Sequence, residues 1–226
     1  MRRATVAWLS AVLCLVGSRP AVAQPVQGLS FRPFVMASFQ QFSAQDTFDA
    51  AFGGTTESFF GGGLNITQDD TVYLELTASR FKKTGELAFY NNGDVFRLGI
   101  PMTVTITPFE LTAGYRFHRR QRRLPSSNTR ATVPSRFIPY VGGGFGLYRY
   151  EQTSEFATDD ENIDTRHAGV ILEGGVEIRL HQWIGLGVDL RYNYVPGILG
   201  EGGISQLADE NDLGGIAARV KLVVGR

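Results

Sequence analysis

Several segments alternate between apolar and polar positions, and charged side chains recur among the polar ones. These charges are the first candidates for a functional site. Side chains alternate between the two faces of a strand, so such charges share one face. If that face encloses a narrow space, the charges either line an ion path or pair and close it, because buried charge is tolerated only when paired. Five acidic and five basic residues form this set: Glu75, Glu110, Glu173, Glu177, Asp189, Arg116, Arg179, Arg191, Arg219 and Lys221.

The three histidines are the other candidates for acid–base or nucleophilic chemistry. His167 lies beside Asp164 and Ser154 at one rim of the predicted sheet, but the alternation turns its side chain to the charged face. His118 and His181 fall at the opposite rim. No Gly-x-Ser-x-Gly motif is present. The sequence therefore predicts no catalytic residue and no enzymatic activity.

Phosphate and metal sites are the remaining possibilities. The glycine triplets at 61–63 and 142–144 precede neither a helical pattern nor a Gly-Lys-Ser/Thr sequence, so they are not phosphate loops. Two acidic segments, 152–165 and 196–212, offer carboxylates to a divalent cation, which needs several converging oxygens. They lack a fixed spacing motif, and solvated surface is the simpler interpretation. We predict no cofactor and no metal site.

The first residues have the features of a secretory signal peptide. Arg2 and Arg3 precede an apolar segment at 6–16, and Ala21-Val22-Ala23 is a small-x-small cleavage site. We expect cleavage after residue 23 and a single domain over 24–226; a membrane anchor is the alternative. The net charge of zero gives no support to nucleic-acid binding.

Alternation of apolar and polar residues organises the rest of the chain into strands. Glycine and aromatic residues are frequent, which favours many short strands over helices. We predict eight strands, an even number that suits a closed antiparallel up-and-down barrel in a membrane. They cover residues 31–42, 58–67, 71–83, 102–117, 136–151, 168–180, 184–194 and 213–225.

Two details of register follow from the same alternation. In strand 102–117 the apolar residues change from even to odd positions, and we expect a bulge at Thr107-Pro108 to restore the face. The connections near 68–70 and 180–183 must contain an odd number of residues, most simply three, because a two-residue turn would flip one strand. This places Trp183 in the second turn.

The signal peptide, the glycine-rich alternating strands and Pro139-Tyr140-Val141-Gly142-Gly143-Gly144 in a middle strand together resemble one known family. It is the outer-membrane-protein β-barrel domain family, the small eight-stranded barrels of the OmpA/OmpX type. The resemblance covers residues 31–226. It implies an outer-membrane location, contact with outer-membrane lipid and lipopolysaccharide, assembly by the barrel insertion machinery, a monomer, and no common catalytic site.

Three functions remain open at this point. If the even positions face lipid, the charged set points inward, and eight strands leave an interior that side chains just fill. The leading prediction is a structural or surface-interaction barrel whose interior is plugged by paired charges. The alternative is a narrow pore or small-solute transport barrel, and a lipid-modifying enzyme comes after it. A soluble ligand-binding barrel would have an apolar inward face, which the charges contradict.

Overall fold

The computed structural model describes residues 28–91, 94–117, 136–154, 162–200, 205–206 and 208–225. Each strand pairs antiparallel with the next and the last pairs with the first, so the sheet closes into a barrel. The predicted eight-stranded antiparallel barrel is confirmed. The predicted signal peptide and the basic segment 118–135 lie outside the described residues. The elements are β1 (Leu29–Phe42), α1 (Gln45–Phe52), β2 (Thr56–Gln68), β3 (Val72–Asn91), β4 (Asp94–Arg116), β5 (Phe137–Ser154), β6 (Ile163–His181), β7 (Ile184–Tyr194) and β8 (Gly215–Val224).

Alternation along each strand separates an apolar outer surface from a filled interior. On β7, Leu190 is 64% exposed on the outer wall, whereas the neighbouring Asp189 and Arg191 are 2% and 5% exposed inside. The same pattern holds on β8 and on most of β5 and β6. The outward residues form an apolar belt, as expected of strands that face hydrocarbon. No helix in the described part of the chain is long and apolar enough to span a membrane.

The two ends of the barrel differ in their connections. The terminus end carries the start of β1, the end of β8 and the tight connections β2–β3 and β6–β7; the loop end carries α1 and the longer strands. Gln68 pairs with Val72, so the β2–β3 turn has three residues, with Asp69 and Asp70 at positive φ.

The β6–β7 turn has two residues, whereas the sequence predicted three. His181 pairs with Ile184, which leaves a two-residue turn, and the extra residue that keeps the parity lies in a bulge between Arg179 and His181. Trp183 lies in this turn and is half-exposed, in agreement with the sequence.

The predicted loop at 85–101 is instead a strand hairpin. β3 continues to Asn91 and β4 begins at Asp94, with one register shift between Glu86 and Ala88. Phe89, Tyr90 and similar residues in this stretch have high strand propensity, which outweighs its glycines. As a result β3, β4, β5 and β6 form a tall wall beside the shorter β7, β8 and β1.

The predicted bulge at Thr107-Pro108 is also absent. Ile106 pairs with Tyr150 and Phe109 with Leu147 in one continuous register. The apolar residues change parity because the interior itself changes character: Ile106 and its neighbours point into an apolar cluster at the loop end. That cluster contains Phe42, Ala44, Phe48, Phe59, Phe81, Met102, Val104, Ile106, Tyr148, Tyr150, Val195, Ile198, Leu199 and Leu213.

Helix α1 lies between the first two predicted strands, 31–42 and 58–67, where the sequence predicted no helix. The Phe48 ring is 2% exposed and stacks on Phe42 with 3.7 Å between centroids and 12° between planes. Phe52 meets Phe81 edge-on at 6.1 Å. Gly53 ends the helix in the left-handed conformation. The helix therefore closes the loop end by burying aromatic rings in the barrel mouth.

We expect Phe48→Ala to lower the free energy of unfolding by about 3–5 kcal/mol, because truncation leaves a cavity in a packed cluster. Urea unfolding of the refolded barrel in detergent micelles measures this loss. Gln45→Ala, on the exposed side of α1, is the control and should change stability by less than about 0.5 kcal/mol. Equal losses in the two variants would contradict the packing of α1 on the mouth.

Candidate functional site

Ionised side chains occupy the barrel interior from its middle toward the terminus end, where a cavity of about 570 Å³ borders Arg32 and Glu177. We call this set the charge cluster. Each of its members is at most 6% exposed. Five carboxylates meet five cations, so the cluster carries no net formal charge. Its members are Glu75, Glu110, Glu173, Glu177, Asp189, Arg32, Arg116, Arg191, Arg219 and Lys221.

Arg219 on β8 lies at the centre of the charge cluster. Its guanidinium contacts carboxylate oxygens of Glu75 at 3.0 Å, Glu173 at 3.0 Å and Asp189 at 2.9 Å. Lys221, two residues along β8, reaches Glu75 at 2.9 Å and Asp189 at 3.3 Å. Three strands besides β8 therefore share two cations. Of these, β7 is a neighbour of β8, whereas β3 and β6 reach the same point from across the bore, because the closed barrel turns alternate residues of every strand inward.

The cluster extends from this centre in both directions. Toward the loop end, Arg191 bridges Glu173, at 2.7 Å, and Glu110. Toward the terminus end, Glu177 accepts from Arg32 at 2.5 Å and from Arg116 at 2.9 Å. These side chains form successive layers across the bore. The carboxylates and cations of each layer pair with one another or with those of the next layer.

Three tyrosine hydroxyls donate further hydrogen bonds to carboxylates of the charge cluster. Tyr73 donates to Glu173 at 2.7 Å, Tyr140 to Asp189 at 2.7 Å, and Tyr148 to Glu110 at 2.8 Å. Such bonds offset part of the cost of removing carboxylates from water, and they hold the charges in place. The sequence interpretation did not include these tyrosines, although Tyr73 shares the parity of Glu75.

Two arginines are placed differently from the sequence prediction. Arg179 lies at the rim of the terminus end, where it pairs with Asp70 at 2.6 Å and keeps 33% of its side chain exposed. It therefore stands apart from the charge cluster. Arg32 is a member that the sequence did not indicate, because the inward positions of β1 also include Phe34, Met36 and Phe42. The other nine predicted residues all lie in the cluster.

Little free space remains between the layers. A cavity of about 10 Å³ lies between the Arg116–Glu177 pair and the Glu75–Lys221 pair. This is room for about one water molecule. A cavity of that size does not amount to a continuous aqueous path, and it agrees with the packed interior expected of eight strands.

A larger cavity lies at the loop end beside α1. Its volume is about 450 Å³, and Phe48, Phe52, Met102, Val104 and Leu199 form much of its wall. Gln152, Thr165 and Ser205 supply polar groups, and Glu86 supplies a carboxylate. A mostly apolar pocket with a few polar groups is typical of small-molecule sites.

Polar contacts hold α1 over this cavity. The Glu210 carboxylate accepts from the backbone nitrogens of Asp46 at 3.0 Å and Thr47 at 2.9 Å, at the start of the helix. Arg97 donates to the carbonyls of Ala50 and Asp49 at 3.2 Å, at its end. An acid at the helix start and a cation at its end both satisfy unpaired backbone groups and favour the helix dipole.

The remaining candidate residues do not converge on a site. Within the described ranges, no group of three or more histidine, cysteine, aspartate or glutamate residues could hold a metal ion. Asp212 accepts from the backbone of Val195 and Gly214, and Asp164 pairs with Arg149. His118, residues 155–161 of the acidic segment 152–165, and residues 201–204 and 207 of the acidic segment 196–212 lie outside the described residues.

Comparisons with known proteins support the fold. No family model matches the chain, and no curated protein sequence is similar to it. The crystal structure of Neisserial surface protein A aligns over 88% of this chain and 100% of that one, with 14% identity and a TM-score of 0.55. The attachment invasion locus protein of Yersinia pestis, in complex with a heparin analogue, aligns over 88% and 97%, with 11% identity and a TM-score of 0.48.

We expect Arg219→Met to lower the free energy of unfolding by about 3–5 kcal/mol, because it leaves three buried carboxylates short of a partner. Arg179→Met is the matched control: its ion pair is partly exposed, so the loss should be about 0–1 kcal/mol. Urea unfolding in detergent micelles measures both values. A loss below 1 kcal/mol for Arg219→Met would show that the cluster contributes little to stability.

The closed strand order, the outward apolar belt and the alignment with Neisserial surface protein A agree: the chain has the fold of the small eight-stranded outer-membrane β-barrels.

Proposed function

We propose that the protein is an integral outer-membrane barrel that conducts no ions and presents its loop end as an interaction surface. The charge cluster carries this proposal. Its paired carboxylates and cations cross the bore in successive layers, and the cavity between two of these layers holds about 10 Å³. Moving a hydrated ion past them would require breaking buried pairs, which is costly.

The orientation follows from the unequal ends of the barrel. Small outer-membrane barrels place short turns on the periplasmic side and longer loops outside. Here the terminus end has the tight β2–β3 and β6–β7 turns, with the β4–β5 connection over 117–136 as the exception, whereas the loop end has α1 and the tall hairpin of β3 and β4. In this proposal the loop end faces outward and lipid and lipopolysaccharide surround the belt. The insertion machinery assembles the chain, which works as a monomer without catalytic activity.

Planar-bilayer recordings test the closed bore. We expect the wild-type protein to be silent in 1 M potassium chloride, and Glu173→Ser/Arg191→Ser to show discrete steps, because it removes a buried pair and admits water. Asp70→Ser/Arg179→Ser removes a rim pair instead and should remain silent. Regular conductance steps from the wild-type protein would contradict the proposal.

Labelling of intact cells tests the orientation. Gln45→Cys on α1 should react with a membrane-impermeant maleimide, because that side chain is exposed at the loop end. Arg136→Cys, exposed at the terminus end, should react only after the cells are lysed. The reverse pattern would show that the barrel is inserted the other way round.

The loop-end cavity favours one alternative, the passage of a small apolar solute. Its 450 Å³ and largely apolar wall suit such a molecule. Transport would still require the charge cluster to part. Proteoliposomes that swell in the solute faster than protein-free vesicles would favour this alternative over a closed barrel.

A further inference from the structure

The outer wall of β3 changes abruptly from apolar to cationic. Its successive outward positions are Val72, Leu74, Leu76 and Ala78, followed by Arg80 and Lys82, and all six side chains are exposed. Cations at this point lie where the hydrocarbon-facing belt ends and headgroups begin. The change therefore marks the level of the lipid headgroups on this wall.

The same change occurs at the same level on β5 and β6. Phe60 on β2 pairs with Arg80, Thr107 on β4 pairs with Arg149 on β5, and Arg149 pairs with Arg166 on β6. The β3–β4 register that joins Ala78 to Phe109 sets Arg80 opposite Thr107. The three arginines thus lie in one row across the tall wall. On β1, β2, β7 and β8 the described outward residues at this level include no cation.

Internal pairing leaves the two ends of this row available. Arg149, in the middle, is held by Asp164 at 2.9 and 2.7 Å and by Glu151 at 2.8 Å. Arg80 with Lys82 at one end, and Arg166 at the other, are exposed, and their side chains make no hydrogen bond or ion pair among the described residues. The Asp164 carboxylate acts on Arg166 only through its longer-range field. With two acids and four cations, the patch has a net charge of +2. Three strand spacings separate the ends, roughly 14 Å along the wall.

An apolar groove lies directly below the row. The residues one row nearer the terminus end are Gly62, Ala78, Phe109, Leu147 and Ala168, each paired with the next across the strands. Small side chains at Gly62, Ala78 and Ala168 leave a shallow groove of about 600 Å³ between larger ones, and its wall is almost entirely apolar. A groove of this kind on a lipid-facing wall accommodates acyl chains.

We propose that this wall is a binding site for the lipid portion of lipopolysaccharide, with one phosphate at the Arg80–Lys82 end, a second at Arg166, and acyl chains in the groove. Arginine and lysine are the usual protein partners of phosphate, and arginine can donate two hydrogen bonds at once. A phospholipid with a single phosphate reaches only one end of the row. The separation of the two cationic ends and the breadth of the groove select a bisphosphorylated lipid with several chains.

This inference rests on the proposed orientation, in which the loop end lies in the outer leaflet. Isothermal titration of the refolded full-length chain in a zwitterionic detergent, with purified deep-rough lipopolysaccharide, tests the site itself. We expect Arg80→Gln/Lys82→Gln and Arg166→Gln each to weaken binding about tenfold, and their combination about a hundredfold, since each removes charge-assisted hydrogen bonds. Arg136→Gln, an exposed arginine at the terminus end, is the control and should bind as the wild type does.

Three further titrations separate the contributions of the phosphates, the glycolipid headgroup and the acyl chains to binding. Dephosphorylated lipopolysaccharide and phosphatidylglycerol should each bind the wild-type protein at least tenfold more weakly than the intact glycolipid. Ala168→Trp fills the groove while it leaves all four cations in the chain, and it should weaken binding several-fold. The proposed site would be overturned if the wild-type protein bound dephosphorylated lipopolysaccharide or phosphatidylglycerol as tightly as intact lipopolysaccharide. It would also be overturned if the combined variant bound intact lipopolysaccharide as tightly as the wild type does. Because the titration is independent of insertion direction, a failed orientation would appear only in the labelling of cells.

The variants are suited to this test because their side chains lie outside the barrel. Arg80, Lys82 and Arg166 are exposed on the outer wall, whereas the members of the charge cluster and of the loop-end apolar cluster are buried inside. All variants should therefore show the same faster-migrating band in unboiled detergent gels as the wild type, the sign of a closed barrel. Weaker binding in variants that keep this band would support the site.

Discussion

The contact of Arg219 with three carboxylates is the constraint on which the rest of the interior depends. A guanidinium and its partners that are almost completely buried cannot be left unpaired, because the uncompensated charge would cost several kcal/mol. Each carboxylate is therefore held by a second group: Glu75 by Lys221, Glu173 by Arg191 and Asp189 by Tyr140. These pairing requirements determine which face of each strand points into the barrel, and hence the register between neighbouring strands.

The barrel interior is divided between two kinds of packing. Ion pairs and tyrosine hydroxyls occupy it from the middle toward the terminus end, and an apolar cluster with α1 fills it at the loop end. Glu110 lies at the boundary, where it accepts from both Tyr148 and Arg191. This division lets the closed half stabilise the fold while the apolar half keeps a cavity near the surface. On the outside of the tall wall the order is reversed, since apolar residues lie toward the terminus end and Arg80 and Lys82 lie toward the loop end.

Sequence periodicity was sufficient for the strands and for most of the charge cluster, because a two-residue repeat directly assigns side chains to faces. Periodicity gave the wrong assignment where the inward and the outward face of a strand were both apolar. Ile106 and Phe109 are both apolar, yet one faces the interior and the other faces lipid, so the parity change suggested a bulge that does not exist. Arg32 was not predicted for the same reason, because the inward face of β1 also contains apolar residues. Helix α1 was missed because its stability comes from Phe48 packing into the barrel mouth, which only the closed barrel provides.

The central claim is that the charge cluster is paired and closed to water. Nuclear magnetic resonance of the Nε–H groups of arginine in the micelle-bound barrel tests it directly, because exchange of these protons with water reports access. The account predicts slow exchange for Arg219 and Arg191, by at least two orders of magnitude relative to the exposed Arg136 and Arg166. Exchange of Arg219 as fast as that of Arg136 would contradict it and would indicate a hydrated bore.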